Sequence, residues 1–194
     1  MKRSTSNPLL LMLVLVSMAL SSTAQVAMKP QSINIKLTGT STLHDWHMDA
    51  TQGSTEAAFI INGDKLTSIS KLSFSLPVKN LKSESNAMDK NTYKAMNVEK
   101  NPNIYFVLSA ASITPTGGNN YNIKAVGKLT ISGTTRDTEL QAVGTYNPAD
   151  KTLSIAGSKS MKMTDFNVKP PTVMLGTIKT GNDIKIAYNL KYTK

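Results

Sequence analysis

The densest group of ionisable side chains in this 194-residue chain is the run His44-Asp45-Trp46-His47-Met48-Asp49. Two imidazoles and two carboxylates in so short a run could ligate a divalent metal. On an extended strand, however, side chains alternate between faces, so Asp45, His47 and Asp49 share one side while His44, Trp46 and Met48 share the other. The two imidazoles cannot then meet at one ion without a bulge. The alternation instead predicts His44 and Trp46 facing inward, with Trp46 offering apolar area and His44 a polar anchor for a ligand's head. A hydrogen-bonded core histidine beside a packed tryptophan fits the same pattern. Nucleophilic chemistry has no matching set: there is no cysteine, there are only two histidines, and no G-x-S-x-G elbow occurs. The acidic residues are scattered, and Arg136 and Asp137 read as a turn or surface ion pair. A non-enzymatic protein with no metal and no cofactor is therefore expected.

The elements that would carry these residues are strands. Along residues 124–132, Ala125, Gly127, Leu129 and Ile131 fall on one side of a period-two ladder, with Lys124, Lys128, Thr130 and Ser132 on the other. Gly133 can adopt positive φ and reverse the chain, which pairs the next segment antiparallel to this one. Similar ladders place Ile33, Ile35 and Leu37, then Leu72, Phe74 and Leu76, and finally Ile184, Ile186, Tyr188, Leu190 and Tyr192 on apolar faces. Turn signals separate them at Asn62-Gly63, at Gly117 to Asn120, at Asn147 to Asp150 and at Gly181-Asn182. About eight short strands without long helical patterns between them predict an all-β sandwich or barrel.

Two segments interrupt the strand rhythm. Ser85 and Asn86 are N-cap candidates before a stretch in which Met88, Thr92, Ala95 and Met96 share one helical face, and that short helix must end before Asn101-Pro102. The irregular stretch 164–176 carries Phe166, Pro170, Pro171, Val173 and Met174 and is too apolar for a purely solvated loop. Both are expected to pack across an open end of the barrel.

At the N-terminus, Lys2 and Arg3 precede an apolar run over residues 9–20 and a small-residue stretch ending at Ala24. This is the pattern of a cleavable secretory signal over residues 1–24, leaving one domain over residues 25–194 in the periplasm or outside the cell. The formal charge of +10 falls to +8 without Lys2 and Arg3. Its lysines recur singly opposite apolar strand positions, as a solvated outer face with protected edges would have them. Attraction to an anionic membrane surface also fits. Nucleic acid does not, because no basic cluster alternates with stacking aromatics.

Whether the barrel is hollow is open at this level. The inward ladders mix large residues (Phe74, Phe106, Leu129, Tyr188) with small ones (Ala125, Gly127, Ala142, Gly144), and methionines gather near the expected mouth at Met88, Met96, Met161, Met163 and Met174. Flexible, polarizable methionine suits an adaptable apolar pocket, and a tapered packed core would use the same mixture.

Five ordered segments carry a resemblance. They are G-T-S-T-L-H-D-W (39–46), A-M-N-V-E-K-N-P-N-I-Y-F-V-L-S (95–109), G-K-L-T-I-S-G-T-T-R (127–136), D-F-N-V (165–168) and the closing strand after Gly181. From Ile33 to the C-terminus the chain resembles the YceI-like, polyisoprenoid-binding family of bacterial envelope proteins. The resemblance implies an eight-stranded antiparallel lipocalin-like barrel, with one short helix and a loop over its mouth. It also implies an apolar tunnel that holds an isoprenoid chain, such as a quinone tail or a polyprenyl lipid, for transport, storage or buffering. A packed barrel serving as a structural or stress-related interaction module is the alternative. The expected ligand-binding residues are His44, Trp46, Phe74, Leu76, Met88, Met96, Phe106, Leu108, Ala125, Leu129, Phe166, Met174, Ile186 and Tyr188. Asn167 stands where many relatives have glycine, and asparagine also tolerates left-handed φ.

Overall fold

The computed structural model describes residues 25–194, so the expected leader lies outside the described residues. The strands are β1 (Gln25–Ser41), β2 (Trp46–Ala50), β3 (Ser54–Asn62), β4 (Lys65–Pro77), β5 (Asn103–Gly117), β6 (Asn120–Ile131), β7 (Thr134–Asn147), β8 (Thr152–Lys162), β9 (Thr172–Val173) and β10 (Ile178–Thr193). Among the described residues one α-helix, α1 (Asn86–Ala95), lies between β4 and β5. Neighbouring strands pair antiparallel in the order β1-β3-β4-β5-β6-β7-β8-β10, and β10 returns to β1 from Lys29↔Thr193 to Ser41↔Thr180. This closes a barrel of eight strands and removes the free edges of an open sheet. The two remaining strands are short extensions at one end. Strand β2 continues the β1 edge beyond β3, and β9 pairs with the start of β10.

The ladders read from sequence are the inward faces. Ile33, Ile35, Leu76, Ile123, Leu129, Leu190 and Tyr192 are buried, and Leu37, Phe74, Ala125, Ile186 and Tyr188 are half-buried around an interior space. Two local readings are corrected. Ser132 is in the turn and not on the outward ladder: Ile131 pairs with Thr134, and Ser132 (φ 49) with Gly133 (φ 77) forms the two-residue reversal. Its hydroxyl donates to the Met96 carbonyl at 2.8 Å, which ties the hairpin to the end of the helical segment. Gly181-Asn182 is no turn, since β10 runs through it with a register shift opposite Gly39 and Ser41. There the Asn182 amide exchanges two hydrogen bonds with Thr164, accepting from its backbone N–H and donating to its hydroxyl.

The core is uneven along the barrel axis. At the end away from α1, Phe59, Leu66, Tyr121, Tyr146, Leu153 and Tyr192 fill the interior. Phe59 and Tyr192 meet edge to face with ring centroids 5.3 Å apart. Two of the three phenols there are hydrogen-bonded: Tyr192 with the Thr55 hydroxyl at 3.1 Å, and Tyr121 as acceptor from the Leu66 N–H at 3.0 Å. A second cluster under the helix end gathers Val78, Met96, Val98, Phe106, Leu129, Ile131, Phe166 and Val168.

Candidate ligand-binding site

The helix is fixed across the open end by short-range polar contacts. The Ser85 hydroxyl accepts from the Met88 N–H at 3.3 Å as N-cap. Asp89, though buried, accepts from both the backbone N–H (2.8 Å) and the hydroxyl (2.7 Å) of Ser83. Burial pushes its carboxyl up, but the Ser83 hydrogen bonds and the nearby Lys82 ammonium outweigh this and hold it below the usual aspartate range. Just before α1, Lys82 exchanges both backbone hydrogen bonds with Asp49 of β2, which turns Leu81 inward. The face of α1 formed by Met88, Asn91, Thr92 and Ala95, with Met96 just beyond, then looks down into the barrel.

Between this lid and the tyrosine-filled end lie two stacked chambers. The upper one has a volume of about 330 Å³ and is walled by Leu37, Leu43, Trp46, Leu81, Met88, Met96, Ile131, Met163, Phe166, Val173 and Ile178. Its polar contacts are Ser41, His44, Ser85, Asn91, Thr92 and Thr180, and no charged side chain reaches it. The lower chamber, about 150 Å³, is walled by Phe74, Leu76, Phe106, Leu108, Ala125, Leu129, Leu140, Ile155, Met161 and Tyr188. Leu37, Leu81, Ile104 and Ile186 line both, so the chambers share their dividing wall. The interior is hollow at this end.

Close approach of backbone shapes the lower chamber. A Cβ on Gly127 would collide with the Val107 carbonyl and the Phe106 ring, so this glycine seats Phe106 and does not thin the wall for a ligand. A Cβ on Gly157 would strike the Tyr188 hydroxyl and the Gln141 carbonyl. Its absence lets Tyr188 lie over β8 and donate to Gln141 O of β7 at 2.9 Å. Burial pushes the Tyr188 phenol up to about 12.

The residues expected from sequence are brought together with one exception. His44, Trp46, Met88, Met96 and Phe166 line the upper chamber; Phe74, Leu76, Phe106, Leu108, Ala125, Leu129 and Tyr188 line the lower; Ile186 lines both. Met174 does not belong: it is 72% exposed, with Leu175 beside it fully in solvent, because both adopt left-handed φ (51 and 55) in a turn that carries them away from the barrel. Val173 and Ile178 fill that part of the wall instead. His44 precedes β2 and is exposed at the rim, so it reaches the chamber from a loop and not from a strand face. Its Nδ1 lies 2.6 Å from the Asp45 carbonyl, an acceptor only, so Nδ1 donates this hydrogen bond. Trp46 donates through Nε1 to the Thr40 carbonyl at 2.9 Å, and Gly39 leaves room for its ring. His47 is outside, 3.5 Å from Asp49. Ser41, Asn91 and Thr180 were not anticipated as rim residues. Asn91 could have been found, because it is three residues after Met88 on the same helical face.

A profile of the YceI-like domain matches residues 20–192. The chain belongs to the YceI-like family. Among solved structures, this YceI-like protein is similar to Burkholderia cenocepacia BcnA, with 20% identity and a TM-score of 0.64 over 82% of this chain and 95% of that one. A polyisoprenoid binding domain from Saccharophagus degradans, implicated in plant cell wall breakdown, matches with 6% identity and a TM-score of 0.60 over 88% of this chain and 99% of that domain. The Campylobacter jejuni YceI protein matches with 16% identity and a TM-score of 0.55 over 74% and 84% of the respective chains. At these identities the structures speak for a shared barrel. No curated protein matches the chain. Asn167 takes left-handed φ (56), the conformation that asparagine tolerates.

Proposed function

We propose that this protein is a non-enzymatic carrier that holds an isoprenoid chain inside its barrel and works in the periplasm or outside the cell. The observation that carries this reading is the pair of apolar chambers sharing a wall beneath α1, in a family whose structural neighbours include a polyisoprenoid binding domain. Burying one isoprene unit of about five carbons contributes roughly 3 to 4 kcal/mol gross at about 0.8 kcal/mol per methylene. A few units therefore exceed the ordering costs of binding. With no charged residue in the upper chamber, the reading favours an uncharged head, a quinone or a polyprenol, among Ser41, His44, Asn91 and Thr92. Exchange with a lipid surface would use the lip formed by Leu43, Met174 and Leu175, whose apolar side chains are exposed near the mouth beside Lys179. Among the described residues no helix is long and apolar enough to cross a membrane.

The single tryptophan of the chain lines the upper chamber, which makes it a reporter. Titration with a short-tailed ubiquinone should quench Trp46 fluorescence saturably at one ligand per chain. Linear, non-saturating quenching identical to that of free tryptophan would reject the carrier reading.

A further inference from the structure

The ladder between β7 and β8 stops at Ala142↔Gly157, although β7 begins at Thr134 and β8 runs on to Lys162. The facing edges part there, and a cleft of about 410 Å³ opens in the barrel wall. It is framed on both sides. At the closed side the Tyr188 hydroxyl takes up the Gln141 carbonyl where the ladder ends. At the other, Arg136 Nε donates to the Asp165 carbonyl at 2.9 Å and Asn167 Nδ2 donates to the Thr134 hydroxyl at 3.1 Å, so the turn after β8 holds β7 in place of a strand.

Lys159 occupies an inward ladder position of β8, opposite Ile186, and lines both the lower chamber and this cleft, as does Met161. A lysine whose stem lies against apolar walls needs an exit for its ammonium, and the gap supplies it. Among the described residues its Nζ has no hydrogen bond and no carboxylate within salt-bridge distance. The carboxylates around the cleft have closer partners: Asp137 with Lys128 at 3.0 Å, Glu139 with Lys124 at 2.7 Å, and Asp165 with the Lys162 backbone N–H at 2.9 Å, while Lys159 adds only a weaker, longer-range attraction to Glu139. The terminal nitrogens of Arg136 are likewise without a hydrogen-bond partner among the described residues, and only its Nε is used. The apolar lower chamber thus adjoins two cations that have no salt-bridge partner among the described residues.

We propose that this cleft is a side port that binds the anionic end, phosphate or carboxylate, of a chain-bearing amphiphile, with Lys159 as its charge contact, Arg136 at the rim and the chain in the lower chamber. The proposal rests on the reading of the interior as a chain-binding space. It gives the channel two polar exits of different character, an uncharged mouth and a cationic side port.

Calorimetric titrations at low salt with farnesol, farnesyl monophosphate and inorganic phosphate test it on wild type, on Lys159→Met and on Lys185→Met, an exposed control on β10 that removes the same charge. Wild type should prefer farnesyl monophosphate over farnesol by about tenfold or more. Lys159→Met, which keeps the apolar stem, should erase that preference, while Lys185→Met should keep it and leave farnesol affinity within about twofold. Lys159→Gln serves as the second variant should Lys159→Met fail to fold, and the same loss is expected of it. A preference that is absent in wild type, or that survives both substitutions, overturns the port. Inorganic phosphate bound as tightly as farnesyl monophosphate overturns the amphiphile and leaves a free-anion site. Farnesol binding without any preference removes the port alone, whereas failure of every isoprenoid to bind removes the carrier reading with it.

Discussion

The two ends of this barrel are built from the same alternating strands and do opposite things. At one end Phe59, Tyr121, Tyr146 and Tyr192 occupy the interior, and Tyr121 and Tyr192 add buried hydrogen bonds to backbone or hydroxyl partners. At the other, Met88, Met96 and Met163 face about 330 Å³ of open space under α1. Rigid rings with one polar handle close a barrel in a single arrangement. Unbranched methionines with several rotatable bonds leave an apolar wall that can adjust to an occupant. On the proposed reading, the difference gives stability to the tyrosine end and binding to the methionine end.

Substitutions at the two ends should separate those roles. Phe59→Ala, at a site with no exposed surface, should cost about 3 to 5 kcal/mol in urea unfolding. Met88→Ala, on the half-buried lid, should cost roughly 1 kcal/mol and instead weaken quinone binding. Equal stability losses would mean that the methionine end is a packed core after all. Tyr121→Phe sharpens the contrast further: it strips the Leu66 N–H of its buried acceptor and should cost about 1 to 3 kcal/mol with ligand affinity unchanged. Ala125→Phe acts in the opposite sense. Filling the lower chamber should lower affinity about tenfold, a loss of about 1.4 kcal/mol in binding, while unfolding stability stays within about 1 kcal/mol because the space is already there.

The smallest expected effect is on the lid alone and depends on pH. The Asp89 carboxyl is held below its ordinary range in the folded protein, so its contribution is present above the unfolded-state pKa of about 4 and is lost as pH falls through the lower folded value. Amide protection at Ser83 and Met88, relative to the intrinsic exchange rate at each pH, should therefore fall in acid before protection at the tyrosine end does. Asp89→Asn should be insensitive to that change.

Much of this contrast is legible in the residues themselves. The ladder from Ile184 to Tyr192 and the one from Ala125 to Ile131 are unambiguous because β10 and β6 have one wet and one apolar face, and period two has no competing reading. The lid helix is legible from Ser85 and the Met88, Thr92, Ala95, Met96 spacing. Hollow versus packed is not, because Ala125, Gly127 and Gly157 serve either case; only the backbone shows that Gly127 admits a neighbouring ring and Gly157 the Tyr188 hydroxyl. Met174 misleads since its apolar side chain suits a wall, yet two successive left-handed residues turn it into solvent. Lys159 is invisible for a related reason. A single lysine within a strand reads as outer-face solvation, and its inward position depends on β8 continuing past the end of its ladder with β7.

The account stands on a lipid chain residing in the methionine end. Native mass spectrometry of protein purified from its own envelope, followed by organic extraction, measures this directly. The prediction is one co-purified isoprenoid per chain, released by extraction and reduced in Ala125→Phe. Protein that is always empty, and that stays empty after incubation with isoprenoid quinone, would contradict it.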